Sequence, residues 1–494
     1  MTAGGVAVIG SGIGGLAAAI ELAAAGKRVT VFERASEPGG KMRQLTVAGR
    51  GVDSGPTVFT MRWIFDGLLQ AAGTTLEAQL GLQEATVLAR HAWRSGGELD
   101  LYASTDRSAE AIEAFSDAAN ARAYRDFCAR SASIYATLRE PYIASPRPGM
   151  LELVRRVGFS QLAQLWQTAP FSTLWSALGE HFTDPRLRQL FARYATYVGS
   201  SPLKAPATLM LIAHVEQDGV WLVDGGMRAV AAALQTVAEG LGVRFNFDCG
   251  VRRLDVDGGR FAGLVTDDGE LFEADAAVYN GDISALGTGM LGDAARAAVK
   301  PVAPEKRALS AITFSVVGQT AGMPLHYHNV FFDQDYPREF DAIFRRGEIT
   351  ESPTVYVCAQ DRHEGDAVEG DERLLLLINA PADGDRIARD KAMLAAYRDR
   401  ALELMRACGC DLSFDDENCV TTDPAAFETR FPGSGGSLYG RANHGSMGSF
   451  ARPGARSDVS GLYLAGGSVH PGAGVPMATM SGRLAAAALL EDLA

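Results

Sequence analysis

The chain has 494 residues, 47% of them hydrophobic and 21% charged, which allows a large packed core and excludes disorder on the scale of the chain. A net charge of −13 argues against phosphate-backbone binding, so no nucleic-acid partner is expected. The six cysteines (Cys128, Cys249, Cys358, Cys408, Cys410 and Cys419) lack the paired spacing of a zinc site. They read as reduced structural thiols, which implies a reducing, cytoplasmic compartment.

The opening predicts a buried strand at residues 6–9, a glycine turn at 10–15, an Ala-rich helix over 16–25 closed by Gly26, and a second strand over 28–32. No basic leader precedes the first strand, so a signal peptide is not expected. No run of about 20 apolar residues occurs, so neither is a transmembrane helix. In the stretch from about 85 to 210 the pattern changes, and 104–130 and 150–178 read largely as helices. Within it, 157–179 carries no charge but holds Gln161, Gln164, Gln167 and Pro170, which suits a lipid-accessible pocket or a membrane surface better than a bilayer span. Short strands return at 243–247 and 261–266. From 290 to 430 strands and helices mix around acidic loops such as 361–372, which read as solvated surface. The stretch from Phe431 is glycine-rich and ends in an Ala/Leu helix over 482–493.

Gly10, Gly12 and Gly15, with Ile13 and Gly14 between, follow a strand and open a helix, the setting that gives a G-x-G-x-x-G turn its chemistry. Gly10 permits the tight turn, Gly12 lets backbone approach a pyrophosphate, and Gly15 lets helix and sheet pack closely. The pyrophosphate would then meet free N–H groups at a helix N-terminus. Glu33, at the end of the second strand, would accept hydrogen bonds from a ribose hydroxyl and disfavour a 2′-phosphate. FAD or NAD is implied.

Beyond Glu33 and Arg34 come Gly39, Gly40 and Lys41, a second glycine pair with a base able to neutralise the pyrophosphate from its other side. Asp53-Ser54-Gly55-Pro56-Thr57 follows as a turn able to bring backbone to a flat ring. Together these resemble the two-glycine block of the FAD family that includes amine oxidases, carotenoid desaturases and Rab GDP-dissociation inhibitors. In that family a strand beginning at Val251 would pass the adenine, after Val223-Asp224-Gly225-Gly226-Met227. Gly466 and Gly467 end a late strand, and a helix start at Val475, Pro476 and Met477 would place N–H groups near the flavin, whose reduced form is negative close to N1.

His470-Pro471-Gly472-Ala473-Gly474-Val475-Pro476, with Gly436-Ser437-Leu438-Tyr439-Gly440, resembles the phytoene desaturase family over essentially the whole chain. Residues 476–483 are more similar to the bacterial 1-hydroxycarotenoid 3,4-desaturases (methoxyneurosporene dehydrogenases). The resemblance implies an α/β fold: a Rossmann-type FAD-binding domain with an inserted α+β, amine-oxidase-like substrate region. Residues 1–85, 218–290 and 431–494 would bind FAD, and 86–217 and 291–430 the substrate and the membrane. It implies hydride loss from an allylic carbon of an acyclic carotenoid, loss of a proton from the next carbon, and a quinone or oxygen as final acceptor. Peripheral contact with the inner, photosynthetic membrane would follow. Another desaturase step or a redox-neutral isomerase is the alternative; an amine oxidase would need an aromatic cage, for which no block argues.

No catalytic acid or base is assigned. His326-Tyr327-His328 has no evident third ligand, so no metal is expected. His214, Glu216 and His470 could lie near the flavin, although a satisfied structural role suits each histidine better. Trp166, Phe171, Trp175, Phe191, Tyr194 and Tyr197 could line an apolar tunnel, but such spacing more often marks plain core.

Overall fold

The computed structural model describes residues 5–158, 171–362 and 368–494. Val6–Ile9 is buried along its whole length and takes the centre of a five-stranded parallel sheet, as a short apolar run covered on both faces must. Val29–Phe32 and Arg244–Asn246 lie to one side of it, Ala276–Tyr279 and Leu462–Leu464 to the other. The first helix, Ile13–Ala24, starts earlier than its alanines suggest, because the turn needs only Gly10 to Gly12. The C-terminal helix is also longer than expected, Val475–Asp492. These two helices meet without side chains between them: a Cβ on Gly482 would stand 2.0 Å from the Gly14 carbonyl oxygen. A small antiparallel sheet, Val251–Asp257, Arg260–Thr266 and Leu271–Glu273, flanks the nucleotide-type sheet.

A second, larger sheet is mostly antiparallel and runs in the order Cys410–Ser413, Ser310–Gly322, Glu372–Ala380, Val355–Ala359, His328–Phe332, Val87–Trp93, Glu98–Tyr102. Period-two alternation sets its two faces. Leu374, Leu376 and Ile378 pack with Leu404 and Met405 of the helix Lys391–Ala407, while Leu375 and Leu377 face the opposite way. Two of its strands, Val87–Trp93 and Glu98–Tyr102, fall just before the first predicted helix, in a stretch given no element from the sequence pattern. The alternation is short there, with only Leu99 and Leu101 buried in the second strand, and the long helices that follow mask it. Those helices divide at Asp117, whose carboxylate accepts from the Asn120 N–H at 2.7 Å and starts Ala118–Leu138 after Thr105–Phe115.

The helical expectation over 150–178 is met at its ends by Met150–Val157 and Leu174–His181; residues 159–170, with Gln161, Gln164, Trp166, Gln167 and Pro170, lie outside the described residues. The acidic stretch 361–372 is not simply solvated surface. Asp361 is held by Arg50 and Arg373, and Glu372 is buried against Arg362. Both carboxylates face guanidinium groups on neighbouring strands or loops, a pairing that local sequence does not reveal. All six cysteines are free, and burial pushes the thiols of Cys358, Cys408 and Cys410 up to about 12.

Candidate functional site

A cavity of about 1110 Å³ reaches from the C-terminal ends of the parallel strands to the inner face of the large sheet. A pocket for one drug-sized ligand spans roughly 300–1,000 Å³, so this one has room for a dinucleotide and a second molecule. Its position, outside the carboxyl ends of parallel strands, is where open α/β sheets bind ligands.

Of the residues the sequence singled out for the dinucleotide, Gly15, Asp53 and the block 223–227 lie outside the cavity, and the others border it. Gly15 lies behind the wall, where a Cβ would stand 2.0 Å from the Gly10 carbonyl oxygen. Gly10 takes φ +95°, as its tight turn requires. Gly12 forms an isolated parallel bridge with Gly39, and Gly39 donates its N–H to the Ser11 carbonyl at 3.0 Å, so the second glycine pair is packed directly on the first. Gly55 approaches Lys41 so closely that a Cβ would meet the Lys41 carbonyl oxygen at 1.9 Å.

Polar groups border the same cavity. The Glu33 carboxylate accepts from the Ser11 N–H (2.7 Å) and hydroxyl (2.8 Å) and from the Ala35 N–H (2.8 Å), which fixes it beside Arg34 and Val251 at one end of the cavity. Lys41 donates Nζ to the Leu438 carbonyl at 2.7 Å. Burial lowers its pKa to about 8, Asp282 opposing and Arg452 adding to the shift. Val475, Pro476 and Met477 bring the start of the C-terminal helix, with its unbonded N–H groups, to the other side. A cavity walled by glycine backbone, a fixed carboxylate, an ammonium and a helix N-terminus matches an adenosine dinucleotide in charge and shape, so the residues present fit FAD.

Sequence reading missed several contributors. Asn280 donates Nδ2 to the Gly10 carbonyl at 3.3 Å, and its side chain lies within 2.7 Å of where a Cβ on Gly12 or Gly14 would stand. The signal was present: Asn280-Gly281-Asp282 is a polar triplet at the end of an apolar parallel strand. Ser481 accepts from the Gly466 N–H at 2.7 Å and anchors that glycine to the last helix. Asp53 caps the helix Met227–Gly240, accepting the Met227 N–H at 2.5 Å, which explains Gly226 before it, where a Cβ would stand 2.1 Å from that carboxylate. Arg193, Tyr356 and Tyr439 also border the cavity, far apart in sequence and without any local pattern.

Of the polar candidates, only Glu216 reaches the cavity. His214 packs its ring 4.9 Å from that of Tyr135, and His470 points Nε2 at the Ser145 carbonyl, 3.0 Å away. Phe171 and Tyr197 border the cavity, whereas Trp175, Phe191 and Tyr194 belong to the packed core or its edge, as their helical spacing suggests. His326 lies 3.5 Å from Asp100, and His328 places Nδ1 2.7 Å from the Tyr356 hydroxyl, so the two histidines of the H-x-H pair have different partners.

The family model described as flavin containing amine oxidoreductase matches residues 13–490. The chain belongs to this family. It is an FAD-dependent oxidoreductase with an amine-oxidase-type α/β fold. The flavoprotein is 52% identical over 491 residues to a hydroxyneurosporene desaturase of Rubrivivax gelatinosus, covering 99% of this chain and 93% of that one. A hydroxyneurosporene desaturase of Rhodobacter capsulatus is 43% identical, with 99% and 98% covered. A 1-hydroxycarotenoid 3,4-desaturase of a Flavobacterium species is 28% identical, with 97% of each covered. Among solved structures, wild-type putrescine oxidase bound to putrescine aligns with a TM-score of 0.58 at 15% identity over 99% of each chain. Cyclohexylamine oxidase of Brevibacterium oxydans aligns at 0.56 and 16%, again over 99% of each. Those structural likenesses are of fold. Among the described residues of the flavoprotein, no helix is long and apolar enough to cross a membrane.

Proposed function

We propose that the protein desaturates an acyclic carotenoid, a 1-hydroxycarotenoid at its 3,4 bond. FAD is held by segments 1–85, 218–290 and 431–494, and the substrate by 86–217 and 291–430. The observation that carries this reading is the wall of the cavity beyond the dinucleotide cradle, where Leu138, Leu153, Leu209, Ile212, Leu375 and Leu377 offer only hydrocarbon. The hydroxyneurosporene desaturases similar to nearly the whole chain support it. Tyrosines do line the cavity, although no sequence block suggested an aromatic cage. The face of Tyr356, however, already carries the Arg193 guanidinium, 5.1 Å from the ring centroid, and a cationic amine would be repelled there.

Bound FAD supplies the two-electron oxidant that accepts the hydride, and a quinone or oxygen then takes the electrons. The chain's own part is to hold and orient. Gly10, Gly12, Ile13, Gly14 and Gly40 leave room for the pyrophosphate, Glu33 and Arg34 with Val251 hold the adenosine end, and Lys41 faces the phosphates. Gly55, Pro56 and Thr57, with Gly466, Gly467, Val475, Pro476 and Met477, border the flavin end. The apolar wall keeps a rigid polyene against that end and excludes water, which is the main demand of the chemistry.

The Lys41 assignment predicts a pH dependence. Its buried charge costs the flavin-free protein stability below about pH 8, a cost that fades as the pH climbs toward 10.5. The pyrophosphate favours the charged form, so above about pH 8 binding must take up a proton. FAD affinity is expected to weaken by up to about tenfold per pH unit from 8 upward, and to be weaker but flat with pH in Lys41→Met. Fluorescence titration of FAD into apoprotein at pH 7 and 9.5 reads both; an equal slope in the variant would remove Lys41 from the phosphate site.

Access from the lipid follows from the rim. Met150, Phe171 and Met447 border the cavity and are 41%, 70% and 51% exposed, and Leu151 beside them is 87% exposed. Arg155, in the last turn of the helix Met150–Val157, is well exposed and able to meet anionic headgroups, while Arg156 is held by Glu152 and the Pro146 carbonyl. Peripheral binding at the cytoplasmic face of the inner, photosynthetic membrane is therefore expected. Leu151→Asp with Phe171→Asp is expected to weaken partition onto anionic vesicles about tenfold or more, read by co-sedimentation; unchanged partition would rule this rim out.

The reaction itself is tested by incubating holoenzyme with a plain acyclic carotene and its 1-hydroxy derivative. Absorption and mass are read together. A red-shifted product two hydrogens lighter supports desaturation. A shifted isomer profile at constant mass, or turnover only of amines, overturns it.

A further inference from the structure

Deep in the apolar part of the cavity sits a guanidinium with donors to spare. Arg193 gives Nη1 to the Tyr197 hydroxyl at 3.2 Å and lies over the rings of Tyr197 and Tyr356, 5.2 and 5.1 Å from their centroids. Among the described residues no carboxylate lies within 4 Å of it, and its other N–H groups make no hydrogen bond. Arg43, which gives Nη2 to the Thr422 hydroxyl, also keeps its Nη1 without a partner among the described residues, but three other enclosed arginines differ. Arg389 is paired with Asp383 and Arg362 with Glu372, and Arg452 spends its Nη groups on the carbonyls of Gly467, Tyr439 and Arg441. A hydrocarbon ligand asks nothing of a guanidinium, and leaving one unsatisfied beside an apolar wall costs free energy unless the ligand itself brings an acceptor.

The surroundings hold Arg193 in one direction. The Glu216 carboxylate accepts from Tyr194 at 2.8 Å and from Tyr197 at 2.6 Å, so the Tyr197 proton is committed and its lone pair faces Arg193. Burial raises the Glu216 pKa, against the two tyrosine hydrogen bonds and the nearby Arg193 charge. On its other side, Tyr356 places its hydroxyl 2.6 Å from the Thr57 hydroxyl, in the turn assigned above to the flavin end. The guanidinium is thus one ring and one hydrogen bond from the reacting end.

We propose that Arg193, oriented by Tyr197 and Glu216, binds an oxygen carried at the end of the substrate chain, three bonds from the carbon pair that loses hydrogen, and so sets preference for hydroxylated over plain carotenoids. This rests on the desaturase reading above. It accounts for a charged group so near the flavin end: in a 1-hydroxy substrate reacting at its 3,4 bond, the oxygen and the reacting bond must occupy the same neighbourhood. A site built to hydrogen-bond a hydroxyl rejects the analogue lacking it far better than an apolar pocket rejects an added one.

The test compares kcat/KM of holoenzyme for the 1-hydroxy carotenoid and its plain parent, in wild type, Arg193→Met, Arg193→Lys and Tyr197→Phe, each checked for flavin content. The hydroxy-to-plain ratio is expected to fall by about 10- to 100-fold in Arg193→Met, the worth of a hydrogen bond from a charged donor. Arg193→Lys should restore part of it, and Tyr197→Phe should lower it by about threefold to tenfold. Equal losses on both substrates, with the ratio held, would overturn the inference while leaving desaturation intact. If Arg193→Met fails to fold, the ratio in Tyr197→Phe decides. Wild-type enzyme that desaturates neither substrate would overturn the proposed function itself, and this inference with it.

Discussion

Protein carrying Gly15→Ala is expected to purify without flavin. The added methyl would stand 2.0 Å from the Gly10 carbonyl oxygen and 3.1 Å from Asn280 Nδ2, and neither can step aside. Gly10 ends a strand hydrogen-bonded between two parallel neighbours, and Asn280 is tied to that same carbonyl. The helix Ile13–Ala24 must therefore shift outward, but on its far side Gly14 is pressed against Gly482. Overpacking of this kind costs about 1–3 kcal/mol or more, and each 1.4 kcal/mol is tenfold in affinity. Flavin binding about 10- to 100-fold weaker is expected, read as the ratio of flavin to protein absorbance and by titration of the apoprotein. Gly240→Ala is the control, because its Cβ would meet nothing within 4 Å. Full flavin content in Gly15→Ala would mean that the cradle is softer than its packing implies.

The largest loss of stability is expected far from the flavin, at Arg362. Its guanidinium holds Glu372 through two bonds of 2.8 Å, donates to Thr320 at 2.9 Å, and reaches the Leu325 carbonyl at 3.3 Å. The Glu372 side chain is 2% exposed. Arg362→Met leaves that carboxylate buried without its counter-charge, for which about 3–5 kcal/mol is the usual cost. Denaturant unfolding followed by intrinsic and flavin fluorescence should show it. Adding Glu372→Leu should recover much of the loss, because an apolar pair of similar volume often does as well as a buried ion pair. A single variant less than about 1 kcal/mol down would show that water reaches the strand edge.

The two predictions also mark what a linear reading can reach. The glycine turn, the second glycine pair and the residues 475–477 were legible because each role depends on a local pattern: a strand before, a helix after, no Cβ between. Gly482 was legible only as a member of a helix; its contact with Gly14 is a fact of two helices meeting. Arg193, Tyr356 and Tyr439 come from three separate stretches and meet only at the cavity, where the Arg193 guanidinium lies over the Tyr356 ring. The strands 87–93 and 98–102 were hidden because a sheet edge formed with His328–Phe332 draws its partner from more than 200 residues away. The acidic stretch 361–372 was misread for the same reason, since the guanidinium that holds Asp361 from Arg50 lies outside any local window. The residues found in the sequence are thus those whose place depends on local backbone, and those it does not show are brought to the cavity by tertiary encounter.

The contact between Gly14 and Gly482 has a consequence for the order of assembly. The helix that carries Gly482 is made 468 residues after Gly14, the residue it packs against. At roughly 5–20 residues per second, on the order of half a minute or more separates them. Through that interval a long, apolar trough stands open, with neither cofactor nor final helix to cover it. Nascent chains are therefore expected to be most exposed to aggregation in the interval before Gly482 docks on Gly14.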